Sequence, residues 1–255
     1  MKLQDCRAMV SGGASGLGEA CVRMLVSGGG KAAILDLQED RAGKLIAELG
    51  SNVVFARTDV TNEESVQAAV KKTLDSFGGI NVVINCAGVG DPAKLISKKG
   101  PMPLSFFNRV VQINLVGTFN VIRLGVEQMI KNAPGKDGEK GVVINTASAA
   151  AFDGQIGQPA YSASKAGVVG MTLPLARECA DYGVRVVTIA PGLFNTPMLA
   201  ILPEAAREAL GKMVPFPARL GDPSEFAALC EHIIENSMLN GEVIRLDGAI
   251  RMAAK

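Results

Sequence analysis

The sequence predicts an α/β fold: a single domain over residues 1–255, built as one doubly wound, open parallel sheet with helices on both faces. Two observations carry this. Short β-rich runs alternate with longer helix-like stretches along the whole chain, and no linker, composition break or internal repeat divides it. The short runs are also near-continuous Val, Ile and Ala, as expected of strands covered on both faces rather than on one.

In chain order the expected strands are 7–11, 32–35, 52–56, 82–85, 142–146, 184–189 and 243–246. Between them lie helix-like segments such as 17–26, 63–76, 105–130 and 162–181. Thr61-Asn62-Glu63-Glu64 places a hydroxyl cap ahead of acids in a first helical turn, where they complement the helix dipole. Two stretches break the rhythm. Residues 89–103 hold Asp91-Pro92, Gly100-Pro101 and Pro103, and 191–217 contain five prolines with a short helical piece around 204–212. Loops after the carboxyl ends of strands surround the ligand crevice in such sheets, so both are expected to wall a substrate pocket.

Composition removes several classes of function. Lys plus Arg number 26 against 25 Asp plus Glu, so no net field draws in nucleic acid or an acidic membrane surface. No apolar stretch reaches the ~20 residues that cross a bilayer. The first residues enter a strand almost at once without an apolar signal core, which predicts a soluble, cytoplasmic protein. The five cysteines (Cys6, Cys21, Cys86, Cys179, Cys230) show no spacing that suggests zinc or a redox dithiol, and no metal is expected. The ten methionines read as core filler, and His232, the only histidine, as ordinary packing on a late helix.

The first chemical signal is Ser11-Gly12-Gly13-Ala14-Ser15-Gly16-Leu17-Gly18, directly after the first strand and opening the first helix. Glycines there let the backbone approach a pyrophosphate, whose charge then sits on the helix N-terminus. Asp36 ends the second strand at about the ~20-residue spacing of a dinucleotide fingerprint, placed to accept from the adenosine ribose hydroxyls. Its charge would repel a 2′-phosphate. No Lys or Arg stands in the glycine loop, and Leu37 follows Asp36, so NAD is expected rather than NADP. Asp59-Val60, after the third strand, is placed to hold the adenine, or else Asp59 caps a helix.

The second signal is Tyr161-Ser162-Ala163-Ser164-Lys165, a phenol and an ammonium at i and i+4 on one helix face. Free Tyr titrates near ~10; a neighbouring cation stabilises phenolate and is expected to lower that value. Ser148, at the end of the fifth strand, is placed to donate to a substrate oxygen.

With these motifs in order, the chain resembles the short-chain dehydrogenase/reductase family over essentially its full length, which implies a Rossmann-like fold. Ser11–Gly18 matches the family's Thr-Gly-x-x-x-Gly-x-Gly with Ser for Thr. Asn85-Cys86-Ala87-Gly88 matches its Asn-Asn-Ala-Gly, with Cys86 departing from the pattern. The resemblance implies catalysis by Ser148, Tyr161 and Lys165, with Asn114 holding a water for proton relay. It also implies that Pro191-Gly192-Leu193-Phe194-Asn195-Thr196 meets the nicotinamide carboxamide through Thr196. Gly12, Ser15, Gly16, Leu17, Gly18, Asp36, Asp59, Val60, Cys86, Ala87, Gly88 and Phe194 would line the NAD site, and Gln158 would border the substrate. Within the family, 117–124, 214–217, 239–252 and the insertion 89–103 resemble a 3-hydroxyacyl-CoA dehydrogenase branch (type 2). That implies oxidation of a 3-hydroxyacyl-CoA, 2-methyl-branched chains included, by a homotetramer; Lys94, Lys98 and Lys99 could attract CoA phosphates. A 3-oxoacyl-carrier-protein reductase, a hydroxysteroid or secondary-alcohol dehydrogenase and a non-catalytic dinucleotide sensor stand as alternatives.

Overall fold

The computed structural model describes residues 1–200 and 202–254. Residue 201, within the expected loop 191–217, and residue 255 lie outside the described residues. Seven parallel strands form one sheet: β1 (Arg7–Ser11), β2 (Lys31–Asp36), β3 (Val53–Arg57), β4 (Val82–Asn85), β7 (Gly141–Thr146), β8 (Val184–Pro191) and β9 (Val243–Leu246). Their order is β3-β2-β1-β4-β7-β8-β9. All seven are the strands expected from sequence, shifted by at most two residues at an end.

Alternation explains why these strands read as unbroken apolar runs. In β1, Ala8 and Val10 enter one core and Met9 the other; in β4, Val82 and Ile84 face one way and Val83 the opposite. Successive side chains point to opposite faces, and here both faces are covered. Helices α1 (Gly16–Ser27), α2 (Glu39–Leu49) and α9 (Pro223–Glu235) close the first core, with Phe226 at 0% exposure. The opposite face is covered by α3 (Glu63–Phe77), α5 (Gly117–Met129) and α6 (Pro159–Ala180). Each fully buried Ile or Phe of these layers contributes roughly 1.5–3 kcal/mol.

Several local expectations need correction. The helix expected as one piece over 105–130 is α4 (Leu104–Val111), then a π-helical turn (Gln112–Val116), then α5. In that turn the Gly117 N–H reaches back five residues to the Gln112 carbonyl. The cap of α3 is not a hydroxyl: the Asn62 side chain accepts from the Ser65 N–H at 2.7 Å, and Thr61 instead donates to Asp59. Thr61 lies one position too early to reach the free N–H groups of the first turn. Helix α6 begins at Pro159, whose fixed φ suits a first helical position, so Tyr161 stands in the opening turn. The broken stretch 89–103 contains a small antiparallel hairpin, β5 (Ile96–Ser97) with β6 (Gly100–Pro101). In 191–217, α7 (Pro197–Ala200) precedes α8 (Glu204–Lys212), the latter where the sequence puts it.

The chain crosses from β3 over the sheet to β4, so β1 and β4 are neighbours with their connections running in opposite directions. At that switch point the loops after β1, β4, β7 and β8 diverge and leave a crevice along the carboxyl edge.

Candidate active site

One cavity of about 930 Å³ occupies this crevice. Every expected cofactor and substrate residue lines it, from Gly12 and Asp36 at one end to Ser148, Gln158 and Tyr161 at the other. Asn114 does not; it lies fully buried behind the wall.

The glycine loop is built for close approach. Gly12 has φ +67°, and a Cβ there would stand 2.7 Å from the Ala87 nitrogen; one on Gly18 would collide with the Gly12 carbonyl. The loop therefore packs against the strand β4 exit and leaves its N–H groups at the start of α1 facing the crevice. Asp36 is 9% exposed, with one carboxylate oxygen accepting from the Ala14 N–H (3.0 Å) and the other from the Gln38 N–H (3.0 Å). Each oxygen retains a lone pair, so the carboxylate is fixed by the loop it serves. Asp59 is exposed and accepts through Oδ1 from the Thr61 N–H and hydroxyl, leaving Oδ2 unengaged. Val60 is buried beside it. Phe194 is pinned by a bridge to Gly221, and Thr196 sits against Gly16 across the crevice. A backbone cradle, a fixed acid and an apolar floor together fit a dinucleotide.

At the other end the catalytic candidates converge. Ser148 caps a 3₁₀ turn (Ala149–Ala151), its Oγ accepting from the Ala150 N–H at 3.1 Å, which leaves its own hydrogen to donate elsewhere. Lys165 is 5% exposed, donates to the Thr146 carbonyl at 2.7 Å and stands 5.9 Å from the Tyr161 ring centre. Burial pushes its ammonium down to about 8, against the opposing pull of Cys86. Tyr161 departs from expectation: burial pushes its phenol up, and the Ser148 hydroxyl is the group that pulls it back. The cation lies over the ring rather than at the oxygen and is itself weakened by desolvation, so the burial cost prevails.

Asn114 is tied by its side chain to two neighbouring elements. Its amide oxygen accepts from the Val89 N–H (2.8 Å), and its NH₂ donates to the Val89 carbonyl (2.9 Å) and to Ser164 Oγ (3.0 Å). Ser164 in turn donates to the Tyr161 carbonyl at 2.7 Å. Through these bonds the Asn114 side chain braces the loop after β4 against the helix that carries Tyr161 and Lys165. Asn114 stands in the middle of the π-helical turn and is fully buried. Sequence reasoning missed Ser164 and Thr146; only the spacing of Ser164, one turn after Tyr161, could have indicated it.

The cysteines, far apart in sequence, partly meet. Cys21 and Cys230 are fully buried with sulfurs 3.7 Å apart where α1 packs on α9, and all five thiols are free. Contact with Cys21 and burial push Cys86 well up, so the thiol that lines the crevice is neutral and a poor nucleophile.

Lys94, Lys98 and Lys99 are exposed on the loop beside the hairpin, and the Arg109–Asp91 ion pair (2.7 Å) ties that loop to α4. Among the described residues no group of acids, His and Cys forms a metal site, and no helix is long and apolar enough to cross a membrane.

Comparison with known proteins agrees with this geometry. The short chain dehydrogenase family profile matches residues 7–207. The 3-hydroxyacyl-CoA dehydrogenase type-2 of Homo sapiens is 55% identical over 247 residues, covering 96% of this chain and 95% of that protein. A 3-hydroxyacyl-CoA dehydrogenase type-2 from Mycobacterium avium superposes with a TM-score of 0.92 at 41% identity, covering 97% of this chain and 96% of that one. A 3-ketoacyl-(acyl-carrier-protein) reductase from Brucella melitensis, complexed with NADH, gives 0.85 at 27% identity, covering 96% and 98%.

Proposed function

The chain belongs to the short chain dehydrogenase family, and on that premise we propose that it oxidises the hydroxyl of a 3-hydroxyacyl-CoA, 2-methyl-branched chains included, to the 3-oxo form with NAD. The observation that carries this reading is one crevice holding a dinucleotide cradle at one end and Ser148, Tyr161 and Lys165 at the other. A nicotinamide bound in the crevice would supply the hydride-transfer chemistry at the carbinol carbon. Tyr161 Oη removes the hydroxyl proton in oxidation and gives it back in reduction. Ser148 donates to the substrate oxygen as charge develops there. Lys165 supplies the cation near both the phenol and the cofactor ribose. Gly12, Ser15, Gly16, Leu17 and Gly18 hold the pyrophosphate, Asp36 the adenosine ribose, Asp59 and Val60 the adenine. Cys86, Ala87, Gly88, Pro191, Phe194 and Thr196 wall the nicotinamide half, and Gln158 borders the substrate. The three loop lysines attract CoA phosphates, each contact being weak in physiological salt.

The deciding measurement is kcat/KM with NADH for acetoacetyl-CoA, 2-methylacetoacetyl-CoA and an acetoacetyl carrier-protein thioester. The CoA thioesters are the better substrates; preference for the carrier protein overturns the assignment in favour of a reductase of the Brucella kind.

NAD is preferred over NADP because Asp36, fixed by the glycine loop, would repel a 2′-phosphate, and no Lys or Arg stands in that loop or at position 37. Asp36→Ala loses hydrogen bonds to a charged group and weakens NAD binding about ten- to hundredfold, narrowing the gap to NADP. Wild-type efficiency with NADP(H) equal to that with NAD(H) refutes this.

The protein is proposed to work as a cytoplasmic homotetramer. Phe119 on α5 (44% exposed) and Leu173 on α6 (45%) leave apolar faces that partner subunits would cover. A tetrameric mass in light scattering is expected, and a monomeric one at micromolar concentration excludes it.

A further inference from the structure

Beyond β9 the chain doubles back along the loop that joins Ser148 to Tyr161. The Ile156 N–H donates to the Ala254 carbonyl at 3.1 Å, and Gln155 Nε2 to the Ala253 carbonyl at 3.0 Å. Arg245 anchors this strap at its base. Its Nε donates to Asp247 Oδ2 (2.7 Å), while one terminal nitrogen reaches both Asp153 Oδ2 (2.6 Å) and the Ile250 carbonyl (3.1 Å). The guanidinium also lies 5.2 Å from the centre of the Phe152 ring. The other oxygen of Asp247 accepts from the Ala249 N–H at 3.0 Å and fixes the turn in which Ala249 takes φ +67°. One planar cation thus joins the last strand, the turn after it and the loop that carries Gln158, a task suited to the rigid fork of Arg and not to Lys.

What the strap delivers is Met252. Arg251 and Ala253 are exposed, whereas Met252 between them is partly buried and lines the crevice together with Gln158, Leu199 and Leu202. A methionine is unbranched, apolar and adaptable, suited to meeting the end of an alkyl chain. Nothing in the glycine loop or the catalytic helix depends on it.

We propose that Met252 sets the length of acyl chain the crevice accepts, and that the Arg245–Asp153–Asp247 network holds it at that depth as a positioning device. This deepens the reading of the substrate as a hydroxyacyl thioester and rests on it. The test is a series of 3-oxoacyl N-acetylcysteamine thioesters of four, six and eight carbons, run beside methyl ketones of matching length, in the whole enzyme with NADH. Met252→Ala raises the eight-to-four-carbon ratio of kcat/KM by about tenfold, and Met252→Phe lowers it by about as much, the scale of a methylene or two in an apolar pocket. Arg245→Met moves the ratio in the same direction as Met252→Ala and by less. NADH affinity, read by fluorescence, stays unchanged in all three. Ratios that do not move in either Met252 variant, in protein with native circular dichroism, overturn the proposal. If the wild type reduces ketones but no thioester, the hydroxyacyl reading fails, and the ketone ratios still decide for or against Met252.

Discussion

Tyr161→Phe is expected to lower kcat by roughly 10³-fold while NADH binding stays near wild type, within the span a positioned proton carrier supplies. The substitution removes one oxygen and leaves the ring, so the wall of the crevice keeps its shape. The pH profile provides the sharper reading. Burial pushes the phenol up, so little phenolate exists at neutral pH and oxidation accelerates as pH rises. Reduction, which needs the phenol, runs the opposite way. Both slopes vanish in the Phe variant if Tyr161 is the group that titrates. Wild-type turnover in that variant would place the base elsewhere.

Lys165→Met is expected to be inactive and yet more stable. Turnover falls by at least about 10²-fold, because the cation that steadies phenolate and ribose is gone, and NAD binding weakens with it. Stability moves in the other direction. The ammonium is 5% exposed and pushed down from 10.5 to about 8 by burial, so folding disfavours its charged form. Below pH 8 the folded chain carries that charge at a cost, and the cost fades as pH climbs from about 8 towards 10.5. The lost hydrogen bond to the Thr146 carbonyl offsets part of the gain, leaving Met about 1–2 kcal/mol more stable than Lys at pH 7. Thermal melts of the cofactor-free proteins across pH 7 to 10.5 should show the two curves converging. A variant less stable than wild type at pH 7 would mean that burial of the ammonium is not costly.

Much of this was legible in the sequence, for physical reasons. The seven strands stand out because each feeds two cores and therefore cannot alternate polar with apolar. The glycine loop, Asp36 and the Tyr161–Lys165 pair are local: their chemistry follows from spacing on one turn or one helix face. What escaped detection depends on distant partners. The brace role of Asn114 needs Val89 and Ser164, which meet it only after the sheet is assembled. Met252 carries no local signal, because its place is set by Arg245 and Asp153. The raised phenol of Tyr161 reflects burial, a property of the closed crevice and not of the i, i+4 pair.

The π-helical turn at Gln112–Val116 behaves as a phase slip in the long helix. Each residue advances a helix by ~100°, so one extra residue in a turn rotates everything beyond it by about that angle. Val121, Ile122, Leu124 and Met129 are buried in the register that follows the slip. Deleting a single residue between 112 and 116 would restore regular hydrogen bonding and swing that whole set away from the sheet. The wide turn and the core beyond it are therefore locked together: no single-residue deletion in the turn yields a plain helix with the interior intact.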